Sequence, residues 1–315
     1  MEFAIETNGL SKKYGSLTAV NKLNLKVTRG SIHGFLGPNG AGKTTTIKIL
    51  VGLLKPDEGI VSVLGKEVHG DQADARLGIG YMPELPKFPK HLKGAELLDI
   101  YGRMCGMTEQ QRREQIPRLI ETVGLKGREN DLIGKYSKGM QQRIGIAQAL
   151  LNNPQLVILD EPSLGLDPVG MVEVRELVKS ISKGGMTVFI SSHLLSEVEH
   201  ICTHVTIINR GTTLASDTLQ NVSGMLTGSA LIHVEVARMS DAVVQALRNL
   251  PFVANVEQTG NGLSIKLATH DDVRIQVSEM ITKTGGVVVG MSTSASNLED
   301  VFMQLVSKDQ GGKVR

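Results

Sequence analysis

The chain has 315 residues, enough for about two domains and a sizeable buried core. With 41% hydrophobic and 21% charged residues it is not a long disordered chain, and a net charge of +2, from 34 basic and 32 acidic residues, gives no electrostatic footprint for nucleic acid. Ten aromatics, none of them Trp, leave little for base stacking. No unbroken run of apolar residues or glycine exceeds seven (Gly285–Met291). A membrane-spanning helix needs about 20, so none is expected. The opening MEFAIETNG does not resemble a secretory signal, and Cys105 and Cys202, far apart and without metal-ligand spacing, predict a reducing compartment and no disulfide-built or zinc-built fold.

In chain order, Leu17–Val27 and Ser31–Leu36 read as strands, and a helix is predicted from near Gly42 to Leu53. From near Leu92 to Leu151 the pattern is mostly helical. Leu97, Tyr101, Met104 and Cys105 share one face, and Ile116, Leu119, Ile120 and Val123 share another. Thr108 with Gln111 forms a capping box, and Pro117 predicts a kink in the helix that follows. This stretch, at 88–152, reads as a helical insert in an α/β domain. Strands return at Leu156–Leu159, Val188–Ser191 and Val205–Ile208, with helices starting near Asp167-Pro168 and Leu194. The Thr-, Ser-, Asn- and Gly-rich run Gly211–Gly228 reads as a linker.

Beyond it, Ile232, Val234 and Val236 alternate with polar residues, as do Leu263, Ile265 and Leu267. Helices are expected near Asp241–Leu250 and Asp271–Thr282, a strand at Val287–Met291 and a short capped helix from Asn297. The order β-α-β-β-α-β fits a small ferredoxin-like α+β unit. The expected organisation is therefore an α/β domain at 1–218, an accessory domain at 219–306 and a flexible tail at 307–315.

Gly37-Pro38-Asn39-Gly40-Ala41-Gly42-Lys43-Thr44 matches the phosphate-loop pattern G-x-x-x-x-G-K-[ST] and lies between a predicted strand and a predicted helix. Glycines let the backbone curl so that several N–H groups face phosphate oxygens, and the following helix directs the positive end of its dipole at the same anion. Lys43 brings a full charge to the β/γ-phosphates and Thr44 a hydroxyl for Mg²⁺; Thr45 continues the loop into the helix. In a glycine-rich chain the alternative is a chance match, which the strand–loop–helix context disfavours.

Leu156-Val157-Ile158-Leu159 ends in Asp160-Glu161-Pro162. Buried parallel strands are continuously apolar, and sites collect at their carboxyl ends. Asp160 is expected in the Mg²⁺ shell opposite Thr44, and Glu161 is placed to orient and deprotonate an attacking water. Without the phosphate loop, an acidic turn capping the next element would be the better reading.

Together with these motifs, Tyr136-Ser137-Lys138-Gly139-Met140, followed by Gln141-Gln142-Arg143 and 23 residues before Asp160, resembles the signature loop of ATP-binding-cassette (ABC) ATPases, usually written LSGGQ. Over residues 3–220 the chain is similar to that family in further elements. The resemblance implies that Tyr14 stacks on adenine and that Ser163-Leu164-Gly165-Leu166-Asp167 is the D-loop. It implies that His193 is the switch histidine contacting the γ-phosphate, and that Tyr81-Met82-Pro83-Glu84 senses a transmembrane partner. It also implies a head-to-tail dimer holding two ATP molecules, in which Ser137, Lys138 and Gly139 at a helix start face the nucleotide of the other copy. Glu84 stands where most members have Gln, which turns a neutral Mg²⁺ and water contact into a carboxylate. Lys138 and Met140 also depart from the common signature; Lys138 reads either as charge near the partner's phosphate or as a solvated cation.

Asn297-Leu298-Glu299-Asp300-Val301-Phe302 resembles the end of ATPase subunits of the ABC-2 exporter branch. That resemblance implies an ATP-hydrolysing, Mg²⁺-dependent subunit on the cytoplasmic face of the membrane. Such a subunit works as a homodimer or with a paralogue and drives a separately encoded permease that exports a drug, lipid, peptide or ion. The permease is expected to insert a short helix near Glu84–Ala95. The rivals are a soluble ABC ATPase acting on ribosomes or DNA, disfavoured by the single cassette and near-neutral charge, and a phosphoryl-transfer kinase, disfavoured by the signature and switch elements.

Overall fold

The computed structural model describes residues 2–69, 78–223, 231–260, 262–269, 272–294 and 298–311. The chain divides into two compact units, 1–219 and 220–315.

In the first unit the elements are, in order, β1 (Phe3–Tyr14), β2 (Leu17–Thr28), β3 (Ile32–Leu36), α1 (Lys43–Leu50), β4 (Glu58–Val63), β5 (Lys66–Glu67) and β6 (Ile79–Met82). Then come α2 (Gly94–Met104), α3 (Glu109–Thr122), a 3₁₀ turn at Ile133–Lys135 and α4 (Lys138–Ala149). The unit closes with β7 (Leu156–Asp160), α5 (Pro168–Ser182), β8 (Thr187–Ser192), α6 (Leu195–Ile201), β9 (His204–Asn209) and β10 (Thr212–Thr218), after which α7 (Leu219–Ser223) follows.

An antiparallel sheet in the order β2-β1-β4-β5 lies in the same unit as a six-stranded sheet in the order β10-β9-β3-β8-β7-β6. In the larger sheet β9, β3, β8, β7 and β6 pair in parallel and β10 is an antiparallel edge. Every residue of β3, β7 and β8 is buried, as expected where helices cover both faces of a parallel sheet. Phe35 and Phe189 pack with ring centroids 5.2 Å apart in this core. The pairing Asp160↔Ser191 and Leu36↔Ser192 sets the carboxyl ends of β3, β7 and β8 side by side. Three loops therefore emerge at one edge, and the site is built there.

Several elements differ from the sequence reading. β1 carries no clean alternation because its pairing shifts register around Gly9, which adopts φ +62°. The run 211–228, read as a linker, begins as a strand. Arg210 (φ +47°) and Gly211 (φ +79°) make a tight left-handed turn, and the Thr-rich segment after it pairs back on β9. On α2 the buried positions are Gly94, Leu97, Leu98 and Gly102, whereas Met104 is 75% exposed and Cys105 is an exposed C-cap. The helix ends there, so the last two residues of the expected face have nothing to pack on. The capping box of α3 forms, with the Gln111 N–H donating to Thr108 Oγ1 (3.2 Å) and the Thr108 N–H to Gln111 Oε1 (2.8 Å). The helix runs on through Pro117, and Ile116, Leu119, Ile120 and Val123 are buried.

The second unit has the order β11 (Leu231–Val236), α8 (Asp241–Arg248), β12 (Val253–Thr259), β13 (Gly262–Leu267), α9 (Arg274–Lys283), β14 (Val288–Ser294) and α10 (Leu298–Gly311). Its sheet, β12-β13-β11-β14, is antiparallel throughout, the ferredoxin-like arrangement. Ile232, Val234 and Val236 pack with Val243 and Leu247 of α8 and Val277 of α9, leaving His233 and Glu235 on the exposed face of the strand. The closing residues read as a loose tail from 307 are helical to Gly311, and Asn297, the expected cap, lies outside the described residues.

Candidate functional site

The loop from Gly37 to Gly42 joins the buried strand β3 to α1. Gly42 adopts φ +103°, and a Cβ there would stand 2.4 Å from the Ala19 carbonyl oxygen; a Cβ on Gly37 would stand 2.6 Å from the Ile208 carbonyl oxygen. Neither position admits a side chain, and the curl is fixed by its neighbours. The Ala41 N–H donates to the Pro38 carbonyl, and the Ala41 carbonyl accepts from the Gly211 N–H. Tyr14, Pro38, Asn39, Gly40, Gly42, Lys43, Thr44, Thr45, Glu84 and Glu161 line one open cleft of about 460 Å³, together with Leu17, Thr18 and Ala19. Tyr14 stands at its rim, 47% exposed.

Below the loop lies a cluster of charges withdrawn from water. Lys43, 6% exposed, donates from Nζ to the Gly37 carbonyl (2.7 Å) and pairs with Glu161 Oε1 at 3.2 Å. The other carboxylate oxygen of Glu161, Oε2, lies 2.7 Å from His193 Nδ1. A carboxylate only accepts, so Nδ1 carries the proton in this contact. Glu161 takes a left-handed φ of +50°, a conformation of order 1 kcal/mol above the ordinary one for a residue with a Cβ. It is held there because its N–H donates to Ser191 Oγ (2.9 Å) and lies 3.3 Å from the Ser191 carbonyl.

Asp160, 1% exposed, accepts from the Ser191 hydroxyl, and the Thr44 hydroxyl lies close enough to favour its charge. Burial pushes its carboxyl above the usual range, with the nearby charges of Glu84 and Glu161 adding to the shift against the two hydroxyls. Its second oxygen, Oδ2, is buried without a partner. The Tyr81 hydroxyl is pushed up to about 12 by burial, with Asp160 and Glu84 adding to it. This corner therefore concentrates negative charge that ionised protein groups alone do not balance. Its donors, carboxylates and a hydroxyl, are hard oxygens of the kind Mg²⁺ takes. Among the described residues no group of three or more His, Cys, Asp or Glu could hold a metal. The residues fit a cation held through Thr44 and Asp160 with further ligands from phosphate, and the orphan Oδ2 is the observation that favours it.

Ser191 escaped the sequence reading although His193 two residues on did not. Its signal was available: a small hydroxyl ending an apolar parallel strand next to the strand that ends in the acids.

Ser137, Lys138, Gly139 and Asp167 are absent from the lining of this cleft. Ser137 N-caps α4, its Oγ accepting from the Met140 N–H (3.2 Å), and both Ser137 and Lys138 are exposed. Lys138 lies across the D-loop of its own chain, where a Cβ on Gly165 would meet its ammonium nitrogen. Asp167 N-caps α5, with Oδ1 accepting from the Gly170 N–H at 2.8 Å.

A glycine loop feeding a helix, a buried lysine and two acids at the end of β7, one strand removed from β3 in the same parallel sheet, define a phosphate-loop nucleoside-triphosphatase. Residues 20–164 match the ABC transporter family. Over 307 residues the chain is 36% identical to the bacitracin transport ATP-binding protein BcrA of Bacillus licheniformis, covering 97% of this chain and 98% of that protein. It is 33% identical over 307 residues to the linearmycin resistance ATP-binding protein LnrL of Bacillus subtilis (strain 168), covering 96% and 98%. A solved ATP-binding subunit of an ABC transporter superposes with a TM-score of 0.64 at 31% identity, over 70% of this chain and 92% of that one. The chain belongs to the ABC transporter family as an ATP-binding subunit, and its activity is ATP hydrolysis that drives a transporter.

Proposed function

We propose that two copies of this chain, or one copy and a paralogue, close head-to-tail around two Mg·ATP, each completing the other's site. The loop amides of 37–42 and Lys43 bind the phosphates, and Tyr14 at the rim stacks on the base. Thr44 and Asp160, with Glu84 beside them, hold Mg²⁺, which neutralises charge on the β- and γ-phosphates when bound. Glu161 Oε accepts the proton of the attacking water. His193, donating through Nδ1 to Glu161, keeps the carboxylate aimed and brings its other ring nitrogen toward the γ-phosphate.

Phosphate and Glu161 compete for the same lysine, so binding ATP releases the carboxylate that hydrolysis requires. Ser137, Lys138, Gly139 and Asp167 lie outside the cleft of their own chain, and the first three carry the features of an anion site, a capped twelve-residue helix with no acid in its first turn, while Asp167 caps α5. That supports their serving the nucleotide of the other copy. Hydrolysis and phosphate loss remove the bridging anion, and the two copies part.

The coupled partner is a separately encoded membrane permease that places a short helix beside Leu85, 60% exposed, and against the surface of Leu92, Ala95 and Ile100 on and before α2. Among the described residues no helix is long and apolar enough to cross a membrane, so the permease supplies the path. This subunit then acts at the cytoplasmic face. Among a drug, lipid, peptide or ion as exported cargo, the named roles of BcrA in bacitracin transport and LnrL in linearmycin resistance favour a drug. The observation that carries the reading is the buried Lys43–Glu161 pair, with His193 on its other carboxylate oxygen, beside the orphan oxygen of Asp160.

Sedimentation of the Glu161→Gln variant with Mg·ATP tests it. The expected outcome is a stable dimer with hydrolysis reduced about 10²–10⁴-fold; a monomer that hydrolyses at the wild-type rate contradicts it.

A further inference from the structure

Glu197 stands on α6, four residues after His193, and is only 7% exposed. Its Oε1 accepts from Arg175 Nη2 at 2.7 Å, and its Oε2 lies 3.5 Å from the Ser163 hydroxyl. Arg175 stands on α5, in the helix capped by Asp167, with its side chain 18% exposed and its Nε buried without a partner. One carboxylate thus ties together three segments: the turn after Glu161, the helix after the D-loop and the helix after the switch histidine. The space these side chains enclose with Glu161 is about 10 Å³, room for one water at most, so it is not a ligand site.

A largely buried ion pair is a poor way to gain stability, because desolvating two charges offsets most of their attraction and apolar residues of the same shape do as well. What it supplies is direction. Glu161 and His193 come from different loops, and their 2.7 Å contact exists only while the two loops keep their separation. The pair joins the helices that follow those two loops, and Glu197 also reaches Ser163 in the turn after Glu161.

We propose that Arg175 and Glu197 are positioning residues for hydrolysis, locking the D-loop helix to the switch helix so that His193 stays on Glu161. The assignment rests on Glu161 being the water-activating base. It also gives a path by which a partner touching the D-loop is felt at the switch histidine: movement of α5 pulls on Glu197, and Glu197 on α6.

The test uses the full chain with Arg175→Met, which keeps the apolar stem, and Arg175→Lys, which keeps a charge within reach of Glu197. Two readouts are needed: steady-state ATP hydrolysis, and ¹⁵N resonances of histidine-labelled protein, with His193 assigned by its loss in His193→Gln. In Arg175→Met kcat is expected to fall about 10²-fold with KM for ATP within about twofold, and the hydrogen-bonded His193 Nδ1 signal should be lost. Arg175→Lys should restore the signal and bring kcat back to within about tenfold of wild type.

Unchanged kcat with an unchanged His193 signal in Arg175→Met overturns the inference. So does a parallel fall in kcat and ATP affinity that Arg175→Lys fails to relieve, since that marks a merely structural pair. If Arg175→Met does not fold, Ser163→Ala is read in its place, with an expected loss of about threefold in kcat, and an unchanged kcat there counts against the inference. Wild-type hydrolysis in Glu161→Gln instead removes the base reading, while the His193 signal still reports whether Arg175 sets the contact.

Discussion

The two units each carry an open cleft of nearly the same size, about 460 Å³ beside the phosphate loop and about 440 Å³ on the exposed face of the ferredoxin-like sheet. What lines them differs. The first is backed by Lys43, Asp160 and Glu161, all at most 7% exposed, with Lys43 paired to Glu161 and Asp160 carrying an acid oxygen without a partner. The second has His233, Glu235 and Ser264, all in water's reach, with His233 Nδ1 3.0 Å from Ser264 Oγ. Volume does not separate them. Ionisable groups kept from water at a cost that ordinary folding does not require mark the cleft where chemistry happens.

Substitutions in the two clefts should therefore have very different consequences. The largest is expected for Lys43→Ala. Without the ammonium the phosphates lose a buried cation, and equilibrium titration should detect no ATP binding under conditions where wild type saturates; retained affinity within about tenfold would equate the two clefts.

Next comes Asp160→Asn, where the sign of the pH dependence is opposite to that of an ordinary salt-bridged carboxylate. Because burial raises the Asp160 carboxyl, its ionised form costs folding stability, and that cost grows as pH rises above the unfolded carboxylate value. Removing the charge should raise Tm at pH 7 by about 2–4 °C while abolishing Mg²⁺-dependent hydrolysis. The gain should shrink at acidic pH, where wild type carries the proton; a lower Tm at pH 7 would contradict this origin of the shift. Smallest is the paired change His233→Ala with Glu235→Ala in the second cleft. Exposed polar residues there should leave basal ATP hydrolysis within about twofold and stability within about 0.5 kcal/mol, and a larger loss would give that sheet a part in the ATPase.

The same contrast explains what the sequence made readable. The phosphate loop, the acid pair and the switch histidine are short contiguous strings whose chemistry dictates their spelling, and the parallel strands that deliver them are unbroken apolar runs. β1 was not legible because a register shift at Gly9 breaks its alternation, and β10 was masked because Thr and Ser in an edge strand look like a linker. Ser191 and the Arg175–Glu197 pair were invisible for a different reason. Their roles arise from strand register and helix packing that bring together residues 30 and 22 positions apart. The alternating strands of the second unit were legible, but no string in them spells a chemistry.

The central claim is that each copy supplies what the other's cleft lacks, and mixing two inactive variants tests it most directly. Lys43→Ala removes the phosphate-binding charge of one half-site, and Ser137→Arg blocks the opposing helix start. Each variant alone should hydrolyse ATP at background rate. Co-expressed in equal amounts, they should recover roughly a quarter of wild-type hydrolysis, since about half the dimers are mixed and each mixed dimer keeps one intact composite site. A mixture as inactive as its components, or a Ser137→Arg chain that hydrolyses at the wild-type rate by itself, would contradict the account.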